Sequence, residues 1–157
     1  MKIAVLAPLA LVLGTLALTG CDSEPQQPAA SPQPAISVTD GRLVLPPVKG
    51  NPGAVYFTVH NSSADQAMIN GASVKGAKSA MIHTVTVFDN KADMEEMPQV
   101  VVPAHGQLVF EPGKMHIMAM GLDDTLKKGG STEVTLHFPG GDKVEFPARI
   151  LAAGDAR

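Results

Sequence analysis

The 157-residue chain has one cysteine, one tyrosine, no tryptophan and a formal net charge of −3. A lone cysteine excludes an intramolecular disulfide, and 12 Lys and Arg against 15 Asp and Glu leave no basic stripe of the kind that nucleic-acid binding requires. So few aromatic rings also supply poorly the stacking by which bases and sugars are recognised.

Lys2 follows Met1 and is succeeded by an apolar run over 3–18 that is broken only by Pro8, Gly14 and Thr15. This reads as an export signal covering residues 1–20; the run is shorter than the ~20 apolar residues a membrane-spanning helix needs. It closes on Leu18-Thr19-Gly20-Cys21, which resembles the bacterial lipoprotein box. That resemblance implies cleavage before Cys21, lipidation of Cys21, and a protein held by its lipid on the periplasmic side of a bacterial membrane. Asp22 favours the inner membrane if the enterobacterial sorting rule applies. Residues 21–34 are rich in Pro, Gln, Ala and Ser, bury too little to fold, and read as the lipidated cysteine and a tether.

From residue 35 to about 152 the pattern changes to short apolar runs separated by turn residues, which predicts one all-β domain. Strands are expected at 35–39, 54–60, 67–74, 81–88, 107–110, 115–120, 131–138 and 143–150. About eight short strands make a β-sandwich or barrel. Asn51-Pro52-Gly53, Asn61-Ser62-Ser63, Asp89-Asn90, Pro112-Gly113, Gly129-Gly130 and Pro139-Gly140-Gly141-Asp142 supply the turns. The only helical candidate is a turn around 123–127.

The chemistry concentrates between His83 and Met118. Successive side chains on a strand alternate between faces, so in His116-Ile117-Met118-Ala119-Met120 the soft donors His116, Met118 and Met120 share one face and Ile117 and Ala119 the other. His83 lies on the strand 81–88, and Met94 is expected on a flexible arm after the Asp89-Asn90 turn, able to close over an ion. Imidazoles and thioethers suit Cu(I), a soft cation that accepts low coordination numbers; zinc would favour thiolate or carboxylate, and hard cations oxygen. Neutral His and Met also bind without releasing a proton and escape disulfide chemistry outside the cytoplasm. His83, Met94, His116 and Met118 are therefore the predicted metal ligands. Met68, Met81, Met97 and Met115 are expected to be packing residues, methionine being a common core filler, and Met120 a hydrophobic neighbour. Met97 remains an alternative to Met94. His137 alternates outward from Val134 and Leu136, and His60 and His105 read as polar residues at loop edges.

The spacing His83-x10-Met94-x21-His116-x-Met118 resembles the motif of the periplasmic copper chaperones of the PCuAC family. Residues 51–61 (NPGAVYFTVHN), 116–122 (HIMAMGL) and 134–138 (VTLHF) also fall where that family has similar segments. The resemblance implies a cupredoxin-like β-sandwich that binds Cu(I), in some members also Cu(II), and carries it to the dinuclear CuA centre of cytochrome c oxidase, whose subunit II is then the acceptor. The same four residues are its ligands. The chain is expected to act as a monomer and not as an enzyme.

Three rival functions differ in what they need. A blue-copper electron carrier requires a thiolate ligand, which Cys21 in its lipoprotein box does not offer. An enzyme requires an open coordination position or an activated nucleophile with a base, and no such grouping has local support. Copper storage and tolerance, or an anchored sandwich used for interaction without metal, remain as alternatives to delivery.

Overall fold

The computed structural model describes residues 35–155; the export signal, Cys21 and the tether lie outside them. Eleven strands follow one another: β1 (Ile36–Val44), β2 (Gly53–Asn61), β3 (Ala67–Ile69), β4 (Gly71–Val74), β5 (Ser79–Phe88), β6 (Lys91–Glu96), β7 (Val100–Val102), β8 (Gly106–Phe110), β9 (His116–Met120), β10 (Ser131–His137) and β11 (Lys143–Leu151). The all-β expectation holds. Nine strands form one sheet, ordered β4-β10-β11-β1-β2-β9-β5-β6 with β8 also on β2, and β3 pairs with β7 in a small second sheet. Contact between β4 and β5 shows that the large sheet curls back on itself and encloses the core.

β2 illustrates how sequence alternation becomes structure. Val55, Phe57 and Val59 are buried, while Ala54, Tyr56, Thr58 and His60 turn to the other face and stay partly exposed. Phe57 anchors the interior, stacked on Phe110 at 4.2 Å and tilted against Phe146 at 4.9 Å between ring centroids. One edge of β2 pairs with β1; the other is shared, with β9 against its first half and β8 against its second.

Two local features set the register around this strand. β1 carries a bulge at Asp40-Gly41, where Asp40 takes φ 58° and the pairing with β2 shifts between Thr39 and Arg42. Gly41 is required there because a Cβ would sit 2.5 Å from the Pro147 carbonyl oxygen and 2.9 Å from the Phe146 ring. At the far end of β2, buried Asn61 donates to the Asp65 carbonyl at 2.8 Å and accepts from the Ser63 amide at 3.0 Å. The predicted Asn61-Ser62-Ser63 turn is thereby tied to the core.

The sequence reading differs from the structure in two places besides the strand ends. The run expected over 67–74 is broken at Asn70 into β3 and β4, which belong to different sheets. β7 and β6 were not anticipated; β6 is exposed along its whole length, so it carries none of the alternation that burial imposes. The segment 123–127 is a turn, as its sequence suggests, and not a helix. Its Asp123 side chain accepts from the Thr125 amide at 2.9 Å, and Leu126 bonds back to the Asp123 carbonyl at 3.1 Å, making a local turn.

Candidate metal centre

β9 has the two faces its sequence requires. Ile117 and Ala119 are fully buried in the core, so His116, Met118 and Met120 stand on the opposite face. Neighbouring strands then decide what these residues meet. Pairing of β9 with β5 sets His116 directly opposite His83 and Met118 opposite Met81, while pairing with β2 sets Met118 opposite Ala54. β5 pairs on its other side with β6, which places Met94 opposite Val85 and Glu96 opposite His83.

Directly opposed residues share a face. The four predicted ligands thus occupy one face over three successive rungs: Met118 on the first, His116 and His83 on the second, Met94 on the third. The two imidazole centroids are 6.1 Å apart.

Met94 is held differently from the sequence expectation. It does not ride on a loose arm; it belongs to β6, the edge strand of a hairpin whose turn is Asp89-Asn90 with φ of 49° and 57°. Positive φ at both central residues is the geometry of a tight hairpin turn, and Asp and Asn tolerate it better than other non-glycine residues. The side chain is nevertheless 48% exposed. Met97 goes elsewhere: its amide bonds to the Ile82 carbonyl at 2.8 Å and its side chain packs against the core, as does that of Met115.

The two histidines have unlike surroundings. His116 is 6% exposed, and its Nδ1 lies 3.0 Å from the Lys114 carbonyl oxygen. A carbonyl only accepts, so Nδ1 carries the proton and Nε2 keeps its lone pair, the arrangement that a metal-bound histidine uses. Both ring nitrogens of His83 are buried with no hydrogen-bond partner. Leaving such a group unsatisfied costs about 1–3 kcal/mol.

Two residues that sequence reasoning passed over complete the surroundings. Tyr56 on β2 faces the same side as Ala54, with its ring 6.2 Å from that of His116, and the Arg42 guanidinium lies 5.3 Å from the Tyr56 centroid. Burial pushes the Tyr56 phenol above its ordinary value, an effect the Arg42 charge partly opposes. The signal was present: Tyr56 is the one tyrosine of the chain, at an outward position of an alternating strand.

Tyr56, Val85, Met94, His116 and Met118 line an open cleft of about 490 Å³, walled on one side by Pro46, Pro47 and Pro52 from the β1–β2 connection. A larger cleft of about 560 Å³, beside Lys75, Leu126 and Phe146, holds none of these donors. The remaining histidines lie apart from the ligand set: Nε2 of His60 is 3.1 Å from the Thr39 hydroxyl, Nε2 of His137 is 3.2 Å from that of Ser73, and His105 occupies a turn at φ 49°. Among the described residues, no three His, Cys, Asp or Glu side chains converge on one point.

Comparison with known proteins agrees with this architecture. The model of the LpqE-like family matches residues 36–150. The chain belongs to the LpqE-like family. It is 30% identical over 128 residues to a protein named as lipoprotein Lxx21020 from Leifsonia xyli subsp. xyli (strain CTCB07), a match covering 80% of this chain and 77% of the relative. The chain is similar to the solved Cu(I) form of DR1885 from Deinococcus radiodurans at 28% identity and TM-score 0.60, over 82% of this chain and 84% of that one. The copper-bound PCuAC domain of PmoF2 matches at TM-score 0.62 and 19% identity, over 76% of this chain and 94% of that domain, and shares its fold. The resemblance to the PCuAC family read from the sequence therefore holds, and so does the cupredoxin-like β-sandwich it implied.

Proposed function

We propose that this LpqE-like chain is an extracytoplasmic metallochaperone whose cargo is Cu(I), bound by His83, Met94, His116 and Met118. The observation that carries this reading is the pairing of His83 with His116 on the same face as Met94 and Met118. The orphaned ring nitrogens of His83 offer one lone pair to a metal, and Nε2 of His116 offers another. Glu96 stands opposite His83 on β6, but among the described residues no three His, Cys, Asp or Glu side chains converge on one point; the donors that accompany the histidine pair in this reading are thioethers, which favour Cu(I) over zinc and hard cations. The solved Cu(I) form of DR1885 supports the same assignment by similarity.

Delivery follows from the openness of the face. Met94 is half exposed on an edge strand, so an incoming donor from an acceptor can displace it first and take the remaining ligands in turn. Copper stays Cu(I) throughout, no proton need move, and no bond other than those to copper is made or broken. The acceptor we infer is a membrane cuproenzyme, specifically the CuA centre in subunit II of cytochrome c oxidase. Lipidation at Cys21 would hold the carrier beside such an acceptor, an assignment supported by the lipoprotein designation of its relative.

The decisive experiment is anaerobic Cu(I) titration against a chromophoric chelator, followed by transfer to an apo-CuA domain. One tightly held, colourless Cu(I) per chain, lost in His116→Ala, is expected. Failure of the unaltered protein to compete for Cu(I), or equal affinity in His116→Ala, overturns the reading. Retention of copper in the presence of every apo-acceptor would move the function from delivery to storage.

A further inference from the structure

The face of the four proposed ligands holds two further thioethers, Met81 and Met120, and Met81 is the one set on the same rung as Met118. Met81 stands directly opposite Met118 across the β5–β9 pair and two residues from His83 on the same strand; it therefore shares the face of the two histidines. It is partly buried, yet it is not among the side chains packed against the hydrophobic core, whereas Met97 and Met115 are. The core packing that accounts for Met97 and Met115 is thus not what occupies Met81. Directly opposed Cβ atoms lie about 5 Å apart, and methionine has three rotatable bonds beyond its backbone, so the sulfurs of Met81 and Met118 can be brought to one point.

We propose that Met81 is an interchangeable thioether donor, able to replace Met118 in the Cu(I) shell. This rests on the Cu(I) reading of the site given above. The pair flanks the histidine rung from two strands, so one thioether takes up the coordination position as the other leaves. The exchange is a ligand substitution at Cu(I): one Cu–S bond forms as another breaks, with no change of oxidation state and no proton released. A carrier built this way keeps its ion covered while an acceptor removes ligands from the exposed Met94 side.

The test is a double-mutant cycle in the full-length chain, with Met81→Leu, Met118→Leu and the double variant, each near-isosteric and checked for an unaltered thermal transition. Cu(I) affinity is measured by anaerobic competition, with His116→Ala as the reference for loss of a ligand. Each single variant is expected to lose less than about 10-fold and the double at least about 100-fold, well beyond the product of the singles. X-ray absorption of the Cu(I)-loaded Met118→Leu protein should show the same number of sulfur neighbours as the unaltered protein, and one fewer in the double variant. Additive losses, or a missing sulfur in Met118→Leu alone, overturn the proposal while leaving the Cu(I) site standing. Absence of Cu(I) binding in the unaltered protein overturns both.

Discussion

His83 and His116 face each other across adjacent antiparallel strands with their rings 6.1 Å apart, yet only His116 has a hydrogen-bond partner. The asymmetry predicts opposite effects of one substitution on stability and on binding. His83→Leu removes two buried, unpaired nitrogens, so the metal-free protein should keep its stability or gain up to about 1–3 kcal/mol in chemical denaturation. Its Cu(I) affinity should fall by at least about 100-fold, since even loss of an outer-shell partner of a metal ligand costs 10–100-fold. Loss of stability together with unchanged copper affinity would show that His83 serves packing alone.

Met94 and Met97 separate in the same way. Met94 is half exposed opposite Val85 on the face of His83 and His116, and Met97 packs on the core. Met94→Leu should lower Cu(I) affinity and leave stability within about 0.5 kcal/mol. Met97→Ala should cost roughly 1–2 kcal/mol, at or below the range for buried Met→Ala because the side chain is only partly enclosed, and should bind copper normally. Urea denaturation and the competition assay, run on both variants, read the two effects independently.

Tyr56 supplies an optical probe, being the only tyrosine in a chain without tryptophan. Burial raises its pKa above 10.0 and Arg42 lowers it, so spectrophotometric titration should place tyrosinate formation above the ordinary value, and Arg42→Ala should move it further up. The folded protein holds the phenolic proton more tightly than the unfolded chain does. Folding therefore loses stability as pH rises beyond 10.0, across the interval up to the folded value.

At the bulge in β1, Gly41→Ala puts a methyl group against the Pro147 carbonyl oxygen. Backbone must move, and the cost should exceed about 1 kcal/mol. Because the bulge sets the register that brings Arg42 opposite Tyr56, the tyrosinate titration should shift in this variant as well. A Gly41→Ala protein with native stability and an unshifted titration would show that the close approach relaxes freely.

The anchor is tested in cells. Labelling with a fatty-acid analogue should mark the full-length protein and fail in Cys21→Ser, which should also leave the membrane fraction. Persistent labelling of that variant would refute the lipoprotein assignment.

The class of fold and the candidate donors were legible because both depend on local pattern. Alternation in β2 and β9 specifies which side chains enter the core, and His116-x-Met118 puts two soft donors on one face whatever the strands beside it. β6 was not legible: an edge strand exposed on both faces has no burial pattern to read, and only its pairing with β5 converts the expected arm into a hairpin.

The sequence by itself determined an all-β chain, its soft-donor motif and its turn chemistry, since these follow from side-chain period and backbone preference within a few residues. Only the tertiary structure decided that His83 stands opposite His116, that Met94 lies on their face while Met97 packs on the core, and that Tyr56 and Met81 border the same face. Those are matters of strand order and register. Register is set by the fit of many distant apolar side chains in one core, and a slip of one residue would turn every donor to the other side.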